Sequence, residues 1–143
     1  MFVGTHRVRV DEKGRLAVPA VFRKQLTEGS YISIGPDNVL TIYPPDQWSA
    51  LAARLTNPLP SPDTRALSRA LFSMAVLCEF DSQGRVMLSQ EQRRQAEIEP
   101  RSTVAVVGGG SRVEIWPEPS WEPYSEDARG RFTELADRVI EAR

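Results

Sequence analysis

Two pairs of side chains in this sequence are spaced for the same chemistry. Asp11 precedes Arg15 by four positions, Asp81 precedes Arg85 by four, and each pair encloses a glycine, Gly14 or Gly84. A carboxylate and a guanidinium at the two feet of a tight turn can form an ion pair, and the carboxylate can also accept from turn amides. An arginine presented at a turn also suits the O6 and N7 edge of guanine, so Arg15 is open to either role or to both. Cations gather round the first pair. Between His6 and Lys24 stand six (Arg7, Arg9, Lys13, Arg15, Arg23, Lys24) against two acids, Asp11 and Glu12. Such a surface, with His6, Arg7, Arg9 and Lys13 beside Arg15, fits phosphate contacts. Round the second pair three cations (Arg85, Arg93, Arg94) meet three acids (Glu79, Asp81, Glu91), so Arg85 reads as structural and this copy as the weaker nucleic-acid surface. Other chemistries lack their parts. The chain has one histidine, His6, and one cysteine, Cys78, in the apolar run Val76-Leu77-Cys78-Glu79-Phe80, where a buried, inert thiol is expected. No His-Glu-x-x-His, Cys-x-x-Cys, P-loop or nucleophile elbow is present, so no catalysis, cofactor or metal is expected.

The elements that must hold these pairs recur. Val10 to Pro19 aligns with Phe80 to Ser89 at an offset of 70, and Arg23-Lys24-Gln25 continues onto Arg93-Arg94-Gln95. Leu40-Thr41-Ile42-Tyr43-Pro44 aligns with Val113-Glu114-Ile115-Trp116-Pro117, and Trp48 with Trp121, at an offset of 73. The chain is a tandem duplication whose second copy carries three extra residues in its connecting segment. Each copy reads as strand, turn, strand, short helix, strand, turn, strand. The first turn, Glu12-Lys13-Gly14, predicts a hairpin in which Gly14 supplies positive φ. Pro19 then opens a helix over Ala20 to Leu26, with Val21, Phe22 and Leu26 inward and Arg23 and Lys24 solvated. Gly35-Pro36-Asp37-Asn38 turns a second hairpin, and Gly108-Gly109-Gly110-Ser111-Arg112 is its counterpart rather than a phosphate loop. Residues 5–48 and 76–121 form the two copies. A helical, proline-rich connection (49–75) joins them through Asn57-Pro58-Leu59-Pro60-Ser61-Pro62, with Ser61 as a helix cap. A final helix is expected over 122–143, where Phe132, Leu135, Ala136, Val139 and Ile140 make an apolar stripe, for packing within the fold or for subunit contact.

The net charge of −1 excludes a uniformly basic nucleic-acid binder but leaves room for a local patch. Nothing approaches a membrane span, the N-terminus lacks a signal-peptide layout, and a lone cysteine agrees with a reducing compartment, so a cytoplasmic protein is expected. The duplicated Asp-x-x-x-Arg turns, the run Asp11-Glu12-Lys13-Gly14-Arg15-Leu16-Ala17-Val18-Pro19-Ala20 and Arg112-Val113-Glu114-Ile115-Trp116 resemble the MraZ family of transcriptional regulators. The resemblance runs from Met1 to about Trp121. It implies an α+β fold, a swapped-hairpin β-barrel in which two AbrB-like β-α-β-β repeats pack about a pseudo-two-fold axis, with flanking helices. It also implies a ring-like homo-oligomer that binds double-stranded DNA at short direct repeats and represses a cell-division and cell-wall gene cluster, in association with the nucleoid. The family commonly has proline after the second motif's strand. Ser89 stands there, and serine can still cap the helix beginning near Gln90. The competing reading is a protein-interaction module without a DNA role, its acidic Glu118, Glu122, Glu126 and Asp127 attracting a basic partner.

Overall fold

The computed structural model describes residues 1–56 and 61–141; Asn57 to Pro60, the start of the proline-rich connection, lie outside the described residues. In chain order the elements are β1 (Thr5–Arg9), β2 (Arg15–Ala17), α1 (Ala20–Arg23), β3 (Tyr31–Ile34), β4 (Leu40–Tyr43), α2 (Pro45–Leu55), α3 (Pro62–Ser73), β5 (Val76–Leu77), β6 (Arg85–Met87), α4 (Gln90–Ala96), β7 (Thr103–Gly108), β8 (Val113–Pro117), α5 (Glu118–Gly130) and α6 (Phe132–Val139). A single 3-10 turn, Pro36–Asn38, closes the β3–β4 hairpin. The repeat is visible in this order. The three extra residues of the second copy fall between Gln95 and β8, after the aligned part of α4, although α4 itself runs seven residues against four in α1.

All strand pairs are antiparallel, and the sheet order β1-β7-β8-β4-β3-β5 reads the same from either end once the two copies are exchanged. The first strand of each copy pairs with the other copy's hairpin: Thr5 to Arg9 lie against Val107 to Thr103, and Val76 and Leu77 lie against Ile32 and Tyr31. The copies meet at the centre, where Leu40 pairs with Ile115. This is the mixed α+β architecture expected, with one correction. Residues 5–9 and 15–17 do not zip into a hairpin. The turn between them is closed by Asp11 N–H to the Arg15 carbonyl (2.8 Å) and Gly14 N–H to the Asp11 carbonyl (3.1 Å), and the chain then leaves the sheet. β2 pairs instead with β6 as a separate two-stranded ladder. Pairing there buries Leu16 and Val86 together, which a local β1–β2 ladder would not do. No ladder joins β1 to β5 among the described residues, so the six strands form an open sheet.

One core lies between the sheet's inner face and the β2–β6 ladder. It takes Val10, Leu16 and Phe22 from the first copy, Val86, Leu88 and Ile115 from the second, and further residues of both. The outer face of the sheet is covered by helices. Trp48 on α2 stacks on Tyr31 with centroids 4.9 Å apart, and Trp121 on α5 packs on Trp116 at 5.2 Å. The equivalent tryptophans therefore dock equivalent helices. Val21 departs from expectation, being 53% exposed, because the four-residue α1 has room for one inward side chain and Phe22 takes it. Ser61 caps α3 as expected, accepting from the Thr64 amide at 3.1 Å.

Candidate nucleic-acid interface

The β2–β6 ladder brings the two Asp-x-x-x-Arg turns onto one surface. Its register sets Arg15 opposite Met87, Leu16 opposite Val86 and Ala17 opposite Arg85. Successive strand residues face opposite ways, so buried Leu16 and Val86 mark the inner face. Arg15, Ala17, Arg85 and Met87 make up the outer one. Sequence reasoning did not foresee this pairing, because it joins residues 70 positions apart; the signal available was that both copies carry an arginine followed by an aliphatic residue, Arg15-Leu16 and Arg85-Val86.

Each turn builds the same local device. Asp11 Oδ1 accepts from the Lys13 and Arg15 amides, both at 2.9 Å, and its Oδ2 accepts from Arg15 Nε at 2.8 Å. Asp81 repeats this with the Gln83 and Arg85 amides and Arg85 Nε. These bonds favour the ionised carboxylates, and the Arg15 and Arg85 backbone N–H groups contribute most to holding Asp11 and Asp81 below the usual aspartate range. Across the ladder Arg85 Nη1 lies 3.8 Å from Asp11 Oδ2, so the four charged groups form one alternating chain. Among the described residues Arg15 gives its carboxylate only Nε, leaving both Nη groups of a fixed, planar fork for a further acceptor.

The turn glycines are where the copies interlock. Gly14 and Gly84 have φ of 87° and 77°, in the region that favours glycine. Gly14's carbonyl accepts from Leu88 N–H at 3.0 Å, and Gly84's from Val18 N–H at 3.1 Å. A Cβ on Gly14 would sit 2.6 Å from Arg93 Nε, and one on Gly84 2.6 Å from the Arg23 guanidinium. Arg23 is thus corrected from a solvated position: half-buried, it lies over the other copy's turn and donates to the Val18 carbonyl, as Arg93 does to Leu88. Lys24 is exposed, as expected.

The structure divides the remaining basic set. Lys13 sits exposed at the turn tip, and its neighbour Glu12 is drawn aside by Arg101 at 2.9 Å. Arg9, also exposed, ends β1 opposite Thr103. His6 lies on the core side of β1, edge-on to Phe22 with centroids 5.4 Å apart. Arg7 shares the outer face with Ala105 and is paired with Glu118, at 3.2 Å, and with Glu122 of α5. The acidic C-terminal segment therefore folds back on the basic strand. Arg7 is thus engaged by α5, and His6 by the Phe22 ring. Cys78 is buried and its thiol is pushed up to about 12 by desolvation. No group of three or more His, Cys, Asp or Glu that could hold a metal occurs among the described residues.

Comparisons with known proteins extend over the whole chain. The MraZ protein family, described as antitoxin-like, matches twice, over residues 1–70 and 71–143. A protein of Alkaliphilus oremlandii (strain OhILAs) named transcriptional regulator MraZ is 39% identical over 142 residues, covering 99% of this chain and 98% of the relative. Proteins of the same name from Desulforamulus reducens and Moorella thermoacetica are each 37% identical over 142 residues, covering 99% of this chain and 99% and 98% of theirs.

Proposed function

The chain belongs to the MraZ family, whose curated relatives are named transcriptional regulators, and on that premise we propose that it regulates transcription by binding double-stranded DNA through the outer face of the β2–β6 ribbon. One observation carries the reading: two arginines, each with Nε held by its own aspartate, stand half-buried on the outer face of a single two-stranded ribbon. A β-ribbon fits the major groove, and an arginine fork is the side chain that pairs with guanine O6 and N7. Arg15 and Arg85 read bases in this proposal. Lys13 and Arg9 meet phosphates, while Arg7 holds α5 against β1. Asp11 and Asp81 are positioning residues, and Gly14 and Gly84 let the two turns close against each other.

The remaining expectations are proposed with it. The sheet and the β2–β6 ladder wrap one core in the manner of the AbrB-like barrel, with repeats over 5–48 and 76–121. The protein assembles as a ring-like homo-oligomer that engages short direct repeats with several such faces at once, gaining avidity. The α6 stripe supports the assembly, because Phe132 and Val139 are 70% and 77% exposed on the last helix of the chain. Repression of a cell-division and cell-wall gene cluster at the nucleoid is the role the family resemblance implies. A gel-shift titration against DNA from upstream of the protein's own gene, with scrambled competitor at low and physiological salt, tests the proposal. Selective, saturable binding that weakens steeply with salt is the expected result. A folded oligomer with no sequence preference would transfer the role to protein partners.

A further inference from the structure

The two arginines of the ribbon do not stand in equivalent surroundings. Residues 17 and 87 correspond through the repeat, and each faces the other copy's arginine: Ala17 lies opposite Arg85 and Met87 opposite Arg15. One arginine is therefore partnered by a single methyl group. The other has beside it a long, unbranched, polarisable side chain that is 50% exposed. The asymmetry extends to the neighbouring strand, where His6-Arg7-Val8-Arg9 of the first copy corresponds to Val76-Leu77-Cys78-Glu79 of the second. Met87 shares a shallow hollow with Val76, Leu77 and Val86, and with the polar Glu79 and Ser89, so apolar side chains adjoin it there.

Apolar side chains beside a base-reading arginine meet one apolar feature in the major groove, the C5-methyl of thymine. We infer that Met87 is a specificity-determining residue that packs on a thymine methyl next to the guanine read by Arg15, while Ala17 is too short to do so next to Arg85. This rests on the DNA reading proposed above and deepens it. A ribbon with two equal ends would favour a pseudo-palindromic step. With methionine at one end only, it reads its site in one direction, which suits sites repeated head to tail.

The test uses the full-length protein and the footprinted fragment from upstream of its own gene, with each thymine replaced in turn by deoxyuridine, which removes only the methyl. For the wild type, one thymine per repeat should lose about three- to fivefold in affinity on replacement, the worth of burying one methyl. In Met87→Ala that sensitivity should vanish, so that the variant binds the thymine and deoxyuridine fragments alike. Ala17→Met should create a second sensitive thymine on the other side of the step. Equal sensitivity in the wild type and Met87→Ala, or no sensitive thymine in a fragment that still binds selectively, overturns the inference and leaves DNA reading intact. A change of oligomer mass in Met87→Ala without any change of methyl sensitivity overturns it in favour of subunit contact. Failure of the wild type to select the unmodified fragment overturns the proposed function itself.

Discussion

Arg93 over Gly14 and Arg23 over Gly84 are the contacts by which each turn depends on the other copy. Gly14→Ala should lower stability by about 1–2 kcal/mol from the left-handed backbone alone, with more from displacement of Arg93. Urea unfolding followed by tryptophan fluorescence measures it, and an unchanged midpoint would contradict the interlock. The aspartates give a pH signature. Asp11 and Asp81 are held below the ordinary aspartate value, chiefly by the Arg15 and Arg85 amides, so their contribution is complete above the unfolded value of about 3.9 and is lost as the pH falls through the lower folded values. Thermal stability should therefore decline on acidification below about pH 4, and the decline should be shallower in Asp11→Asn/Asp81→Asn. The Cys78 thiol, buried and pushed up to about 12, should react with a thiol reagent at neutral pH only on unfolding. At this scale the Asp-x-x-x-Arg turn was legible in the sequence because its hydrogen bonds span two to four residues. Arg7 and Arg23 were not legible. Arg7 finds its carboxylates 111 and 115 positions away, and Arg23 lies over a glycine of the other copy. A local charge count sees neither.

At the scale of elements, α4 shows how a difference between the copies is absorbed. Ser89 accepts from Gln92 N–H at 3.1 Å and Gln92 Oε1 accepts from Ser89 N–H at 3.2 Å, a complete capping box where the first copy has Pro19. Gln92 does more than cap. Fully buried, it donates through Nε2 to the Ile32 and Met74 carbonyls at 3.0 and 2.9 Å, tying α4 to β3 and to the end of α3. Gln92→Leu keeps the volume but strands these groups. At about 1–3 kcal/mol for a buried group left unsatisfied, a loss of order 3 kcal/mol is expected in chemical denaturation, and a loss under 1 kcal/mol would show that water replaces the amide. The serine cap was legible from residue type, whereas the inward glutamine was not. Its counterpart Phe22 is apolar, and an amphipathic reading assigns a glutamine to solvent. The first hairpin failed as an expectation for a similar reason: turn chemistry fixes the chain reversal, while burial of Leu16 against Val86 decides which strands pair.

Over the whole molecule the consequence of the exchange is mutual dependence. Among the described residues β1 has its only ladder on β7, β5 has its only ladder on β3, and β2 and β6 have only each other. A chain ending at Ser73 therefore lacks partners for β1 and β2 and should give no cooperative unfolding transition, while mixing it with residues 74–143 should restore one. Cooperative folding of the first copy alone would contradict the exchange. The duplication and α+β class were legible from sequence because each copy repeats the same residue order. The exchange of strands was expected only through the family resemblance, as a swapped hairpin, and the register that joins both motifs on one ribbon was not legible, since offsets record what corresponds and not what touches. The central claim, that this ribbon reads DNA with both arginines, is tested most directly by comparing Arg15→Ala and Arg85→Ala in operator affinity, each confirmed as folded and of wild-type oligomeric mass. Both should lose about 1–3 kcal/mol per site, roughly 5- to 150-fold, and both should relax base preference at one position. Wild-type affinity and preference in either variant would contradict a shared face and leave that arginine as the lock of its own turn.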